Sequence, residues 1–122
     1  GLAVHSPELF AGDHTLDLCA DDEDYRNRSI RELQRVIDLT RELKAYFTQA
    51  ERPCIVVNVG GFSHLGHLGA EKRAHLYDHL EASLNKIDAE GVEIIAQTMP
   101  PFPWHFGGQQ FHNLFVDAEG IV

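Results

Sequence analysis

Residues 54–59, CIVVNV, form an apolar run broken only by Asn58 and rich in β-branched side chains. Such a run fits a strand covered on both faces, as in a parallel sheet or a barrel, better than an antiparallel strand with one wet face. A stretch of helical period lies on either side of it. Upstream, Ile30, Leu33, Val36, Ile37, Thr40, Leu43 and Phe47 recur at three- and four-residue steps, with Arg31, Arg35, Asp38 and Glu42 on the opposite face. Ser29-Ile30-Arg31-Glu32 has the form of a capping box, which predicts that this helix begins at Ser29. Downstream, residues 70–89 carry Ala74, Tyr77, Leu80, Leu84 and Ile87 along one face, and Glu90-Gly91 supplies a stop. His75 and His79 stand at i and i+4 on that helix, the spacing of a metal pair, but no HExxH pattern accompanies them. The expectation is a solvent-facing pair.

Two more runs complete the alternation. Residues 2–5 are short and apolar and end in His5-Ser6-Pro7, and residues 92–97, VEIIAQ, follow the second helix. The order strand, helix, strand, helix, strand predicts βαβ units and a parallel sheet. Residues 8–27 show no sustained period and carry an acidic run from Asp21 to Asp24, which predicts a loop with a solvated charged face. A length of 122 residues, 43% of them hydrophobic, allows one domain with a modest core. Ten Lys and Arg against nineteen Asp and Glu give a net charge of -9, which argues against nucleic acid as a partner. Cys19 and Cys54 have neither zinc-type spacing nor the density of a disulfide scaffold, and no run resembles a signal peptide or a membrane span. A reduced, cytoplasmic setting without membrane contact is the expectation. The chain opens at Gly1 and closes in DAEGIV, where Asp117 has the form of a helix N-cap, so it reads as cut at both ends.

The chemistry-bearing side chains gather after the strands. Residues 60–69, GGFSHLGHLG, combine four glycines with His64 and His67, so backbone and imidazole can approach a small ligand together. After residue 97 the chain is stiffened by Pro100, Pro101 and Pro103, and Gly107 and Gly108 follow Trp104, His105 and Phe106. A rigid loop of this composition offers its aromatic side chains to a ligand or uses them to cap the core. In open sheets and closed barrels alike, ligands bind at the carboxyl ends of parallel strands. Both loops lie at that end.

The series His5-Ser6-Pro7, the helix around Ser29, VVNVGGFSHLG at 56–66 and EIIAQTMPPFPWHFGG at 93–108 resembles the middle of a xylose isomerase-like TIM barrel. That superfamily contains sugar isomerases, epimerases and the endonuclease IV enzymes. The resemblance implies an α/β fold, a partial (β/α)8 TIM barrel of about three parallel βα units, with residues 1–122 as a single fragment, because a whole barrel takes roughly 250 residues. Members commonly place a His at the end of the second strand, a His in a HPGSH-like turn after the third and a metal-binding Glu after the fourth. His5 fits the first place, Val59 falls where the turn's ligand His would stand, His64 matches the later His of that turn, and Gln97 replaces the Glu. An amide oxygen can touch a metal but supplies neither charge nor a general base.

The resemblance therefore implies part of a sugar or sugar-phosphate isomerase or epimerase barrel, with His5, Asn58, His64, Gln97, Trp104 and His105 as substrate-binding residues and no catalytic base assigned. A divalent metal is an expectation for a full-length protein only, since the ligand positions are degenerate in this segment and no metal ligand is assigned. Two alternatives stand beside it: a non-catalytic sugar-binding barrel that lost its metal site, and an endonuclease IV-like phosphodiesterase, which the acidic charge disfavours. The expected partner is a small sugar or sugar phosphate. Three strands with two open edges also predict self-association of the fragment.

Overall fold

The computed structural model describes residues 2–47, 51–63, 66–99 and 111–115. Strand β1 (Ala3–His5), β4 (Cys54–Val57) and β6 (Glu93–Ala96) form a parallel sheet in the order β1-β4-β6. Register pairs Val4 with Ile55 and Ile55 with Ile94, so one face of the pleat carries Val4, Ile55, Val57, Ile94 and Ala96. That face meets helices α1 (Glu23–Lys44) and α2 (Ala70–Asn85), whose Leu33, Ile37, Leu76 and Leu80 join Ile55 and Val57 in one buried cluster. Three parallel strands with two covering helices give the parallel sheet that the pattern predicts, and they are consistent with the partial (β/α)8 barrel that the resemblance implies. None of the described helices is long and apolar enough to cross a membrane.

The boundaries differ from expectation where tertiary contacts override local signals. Helix α1 begins at Glu23 rather than Ser29, with Asp22 as N-cap accepting from the Tyr25 amide at 3.0 Å. The acidic run is therefore the helix start: one carboxylate satisfies a free amide, and Glu23 and Asp24 complement the dipole in the first turn. Ser29 lies inside the helix, fully buried, where its Oγ accepts from the Asp17 amide at 3.0 Å and sits 2.9 Å from His14 Nε2. Burial and the neighbouring Arg28 lower the His14 pKa. The apolar stripe also ends earlier, at Thr40, leaving Leu43 and Phe47 about half exposed at 45% and 44%.

Residues 8–27 are not a loop either. Besides the first turns of α1 they hold a hairpin of β2 (Leu9–Phe10) and β3 (His14–Thr15), turned through Gly12 and Asp13, both at positive φ. Its strands are two residues long, too short for alternation to reveal them. Leu16 and Leu18 then drop into the core. In α2 the buried face is Leu76, Leu80 and Ser83, while Ala74 and Leu84 are exposed, so the inward stripe is rotated from the expected one. Ser83 donates to the Leu18 carbonyl at 2.6 Å, a tie that residue period alone does not reveal. A last pair, β5 (Phe62–Ser63) with β7 (Phe111–His112), is antiparallel and joins the loop after β4 to the segment after β6.

Candidate functional site

The second face of the sheet carries Ala3, His5, Cys54, Val56, Glu93, Ile95 and, one step past β6, Gln97. His5 and Gln97 belong to the two outer strands, yet they meet across β4 with His5 Nε2 3.1 Å from Gln97 Oε1. The Gln97 amide is held by its own backbone, which donates to the Val57 carbonyl at 2.8 Å. His5 Nδ1 lies 2.9 Å from the Ser6 carbonyl, which can only accept, so Nδ1 carries a proton. Nε2 then donates to the Gln97 oxygen in the imidazolium, and in the neutral ring it accepts from the same amide turned over. The pair thus offers hydroxyl groups a donor and an acceptor at the carboxyl end of the sheet.

Beside it, the glycines after β4 are shaped by a residue that the sequence reading passed over. Asp17 accepts from the Gly61 amide and from the Cys19 amide, each at 2.9 Å. A Cβ at Gly60, where φ is 94°, would lie 2.2 Å from Asp17 Oδ1 and 2.6 Å from its Cα, so only glycine permits this approach. Burial pushes the Asp17 carboxyl up to about 6, against the backbone N–H groups of Gly61, Cys19 and Phe62, which pull it down. Asn113 closes the other side. Its buried amide donates to the Gly61 carbonyl at 2.8 Å and to Ser63 Oγ at 3.0 Å, while its oxygen accepts from the Leu68 amide at 2.8 Å. No spacing rule singles out Asp17 or Asn113, because the bond that ties each to Gly61 spans 44 and 52 residues, although Asp17 also accepts locally from the Cys19 amide.

The expected site residues separate into three groups. His5 and Gln97 are brought together. Asn58 is buried: its Oδ1 accepts from the Gly60 amide at 3.3 Å, and its Nδ2 has no hydrogen-bond partner among the described residues. His64, Trp104 and His105 lie outside the described residues. His67 is exposed and packs edge-on against Phe111, ring centroids 5.2 Å apart. Val59, at the position of a family ligand His, is buried in the core, and its carbonyl accepts from the Leu18 amide at 2.9 Å. The described strand-end donors do not fit a divalent metal: they are one imidazole and one neutral amide oxygen, already bonded to each other.

No curated protein and no solved structure matches the chain. The sequence profile described as xylose isomerase-like TIM barrel matches residues 1–121. That match spans the parallel sheet, both covering helices and the strand ends where His5 and Gln97 meet. The chain accordingly belongs to the xylose isomerase-like TIM barrel family.

Proposed function

We propose that this chain builds part of the pocket of a sugar or sugar-phosphate isomerase or epimerase-like barrel. The observation that carries the reading is the His5–Gln97 pair, which bridges the carboxyl ends of two strands on the face that a closed barrel turns inward. Isomerisation moves a proton from carbon next to a carbonyl and stabilises the enediolate left behind. In that chemistry His5 Nε2 and the Gln97 amide hold the substrate's carbonyl or hydroxyl oxygen. The buried Asn58 Nδ2 supplies a further donor in want of an acceptor, a group whose isolation costs about 1–3 kcal/mol until an oxygen meets it. His64, Trp104 and His105 are carried as further candidate sugar contacts on the sequence resemblance alone, and no base is assigned within this chain.

The test is a panel of aldoses, ketoses and their phosphates with the full-length protein and its His5→Ala and Gln97→Ala variants. Turnover that falls at least about tenfold in each variant supports the reading, by the free-energy scale of a lost charge-assisted hydrogen bond. Turnover unchanged in both removes the pair from the site. The second reading, a sugar-binding barrel without catalysis, is favoured by neutral Gln97 and by Val59 at the positions where family members carry a Glu and a His. Saturable sugar binding that depends on His5 but gives no turnover selects it. The open sheet face and outer strands β1 and β6 further support self-association of the isolated chain. Sedimentation of a concentration-independent monomer would contradict that.

A further inference from the structure

Away from the strand ends, α2 and the lead-in to α1 bring three ligating side chains together. The ligand atoms of Asp21, His75 and His79 all lie within 4.8 Å of one another. His79 Nε2 is 3.3 Å from Asp21 Oδ1, and the two imidazoles stack edge to face with centroids 4.8 Å apart. The i, i+4 spacing projects both rings from one helical face, and Asp21 arrives from a segment more than fifty residues earlier. A tetrahedral zinc ion, with bonds of about 2.0–2.1 Å, requires its ligand atoms roughly 3.3 Å apart. The Asp21–His79 pair already has that separation, and the remaining gaps close by rotation of exposed side chains.

We propose that Asp21, His75 and His79 form a three-ligand site for a transition-metal dication of the zinc type, stapling the start of α1 to α2. The donor set is the borderline nitrogen and oxygen mixture that suits zinc, cobalt or nickel rather than calcium or magnesium. The three ligands leave a fourth tetrahedral position to water, and the surroundings provide one. A cleft of about 460 Å³ opens beside the cluster, lined by Asp21, Leu68, Glu71, Lys72, His75 and Leu76. Asp21 and Glu71 outweigh Lys72 there by one negative charge, and Asp22, Glu23 and Asp24 follow directly in sequence. As a bare contact it contributes little, because the Asp21 side chain is 86% exposed to water. With a cation it becomes a bond between α2 and the residue just before the α1 N-cap. Of the histidine pair expected to face solvent, His75 is exposed and His79 is part exposed.

The experiment is a Zn²⁺ titration of the full chain against a chromogenic chelator, with hydrogen exchange read across residues 21–26. One equivalent of zinc is expected, together with slowed exchange at the start of α1. His75→Ala and His79→Ala should each weaken binding at least about tenfold, the scale of a lost ligand, with Asp21→Asn weaker by several-fold. Asp21 and His75 are exposed and His79 is part buried, so the folding of each variant is checked by unchanged far-ultraviolet circular dichroism. Zinc that binds as tightly to a His75→Ala/His79→Ala double variant overturns the proposal, as does zinc lost in His5→Ala instead. The absence of saturable binding overturns it too. The His5 outcome would instead place a metal at the strand ends; the other outcomes leave the sugar pocket untouched, and that pocket is tested by turnover.

Discussion

The two faces of the sheet are cut from the same three strands by simple alternation, yet they are built for opposite ends. Val4, Ile55, Val57, Ile94 and Ala96 lie under the helices, and Ile55 and Val57 have no exposed surface. One residue along each strand, His5 and Ile95 are exposed, and Ile95 shows 42% of its surface. The lesson is that a continuous apolar run does not by itself mark a core. CIVVNV reads as a strand buried twice over, and in a whole barrel the inner face is indeed packed. In this chain the helix-side face alone supplies the cohesion, and the inner face carries the polar pair.

Substitutions on the two faces should therefore differ sharply. Ile55→Ala, at a site with no exposed surface, should lower unfolding stability by about 2–5 kcal/mol in urea melts, from lost transfer energy plus the cavity. A loss under about 1 kcal/mol would mean the helices do not close over the sheet as drawn. Gly60→Ala comes next, at about 2–4 kcal/mol, because the methyl meets the Asp17 backbone and the positive φ adds strain. The same melts check it, and a neutral result would show that Asp17 does not press on this turn.

The Asp17 carboxyl ranks third and acts through pH. Its folded pKa, about 6, is above the ordinary carboxylate value of 3.8, so the folded state binds its proton more tightly than the unfolded chain does. The stabilisation is complete below the unfolded value and is lost as pH rises through about 6, a change on the order of 2–3 kcal/mol. Asp17→Asn should flatten that slope in melts taken across the same range. The smallest effects belong to the open face: His5→Ala and Ile95→Ala should each shift stability by no more than about 0.5 kcal/mol. For His5 the sharper form of the comparison is large loss of turnover with unchanged melting, and joint loss of both would place His5 in the fold rather than the pocket.

Much of this was legible beforehand, and the misses have a common cause. The parallel β-α alternation, the cores of both helices around Leu33 and Leu80, and the placing of His5 and Gln97 at strand ends all follow from period and turn residues. Ser29 shows where such reading fails. Its motif is a good local start signal, but a buried hydroxyl serving His14 and Asp17 is worth more than a cap, and Asp22 caps equally well seven residues earlier. The hairpin of β2 and β3 escaped because two-residue strands carry no period. Asn58 was a candidate from position alone, and the structure divides it: one atom holds Gly60 while the other lacks a partner.

Sequence by itself determined the three parallel strands and the cores of the two helices, because hydrophobic period and β-branching act within a few residues of chain. It also decided which strand ends bear polar groups. Only tertiary structure decided that His5 bonds Gln97 across an intervening strand, that Asp17 and Asn113 clasp the glycines after β4, and that Asp21 reaches His79. Those contacts join residues 44 to 92 positions apart, and the energy that selects them comes from burying apolar surface, which is indifferent to sequence distance and fixes polar partners only once the layers have closed.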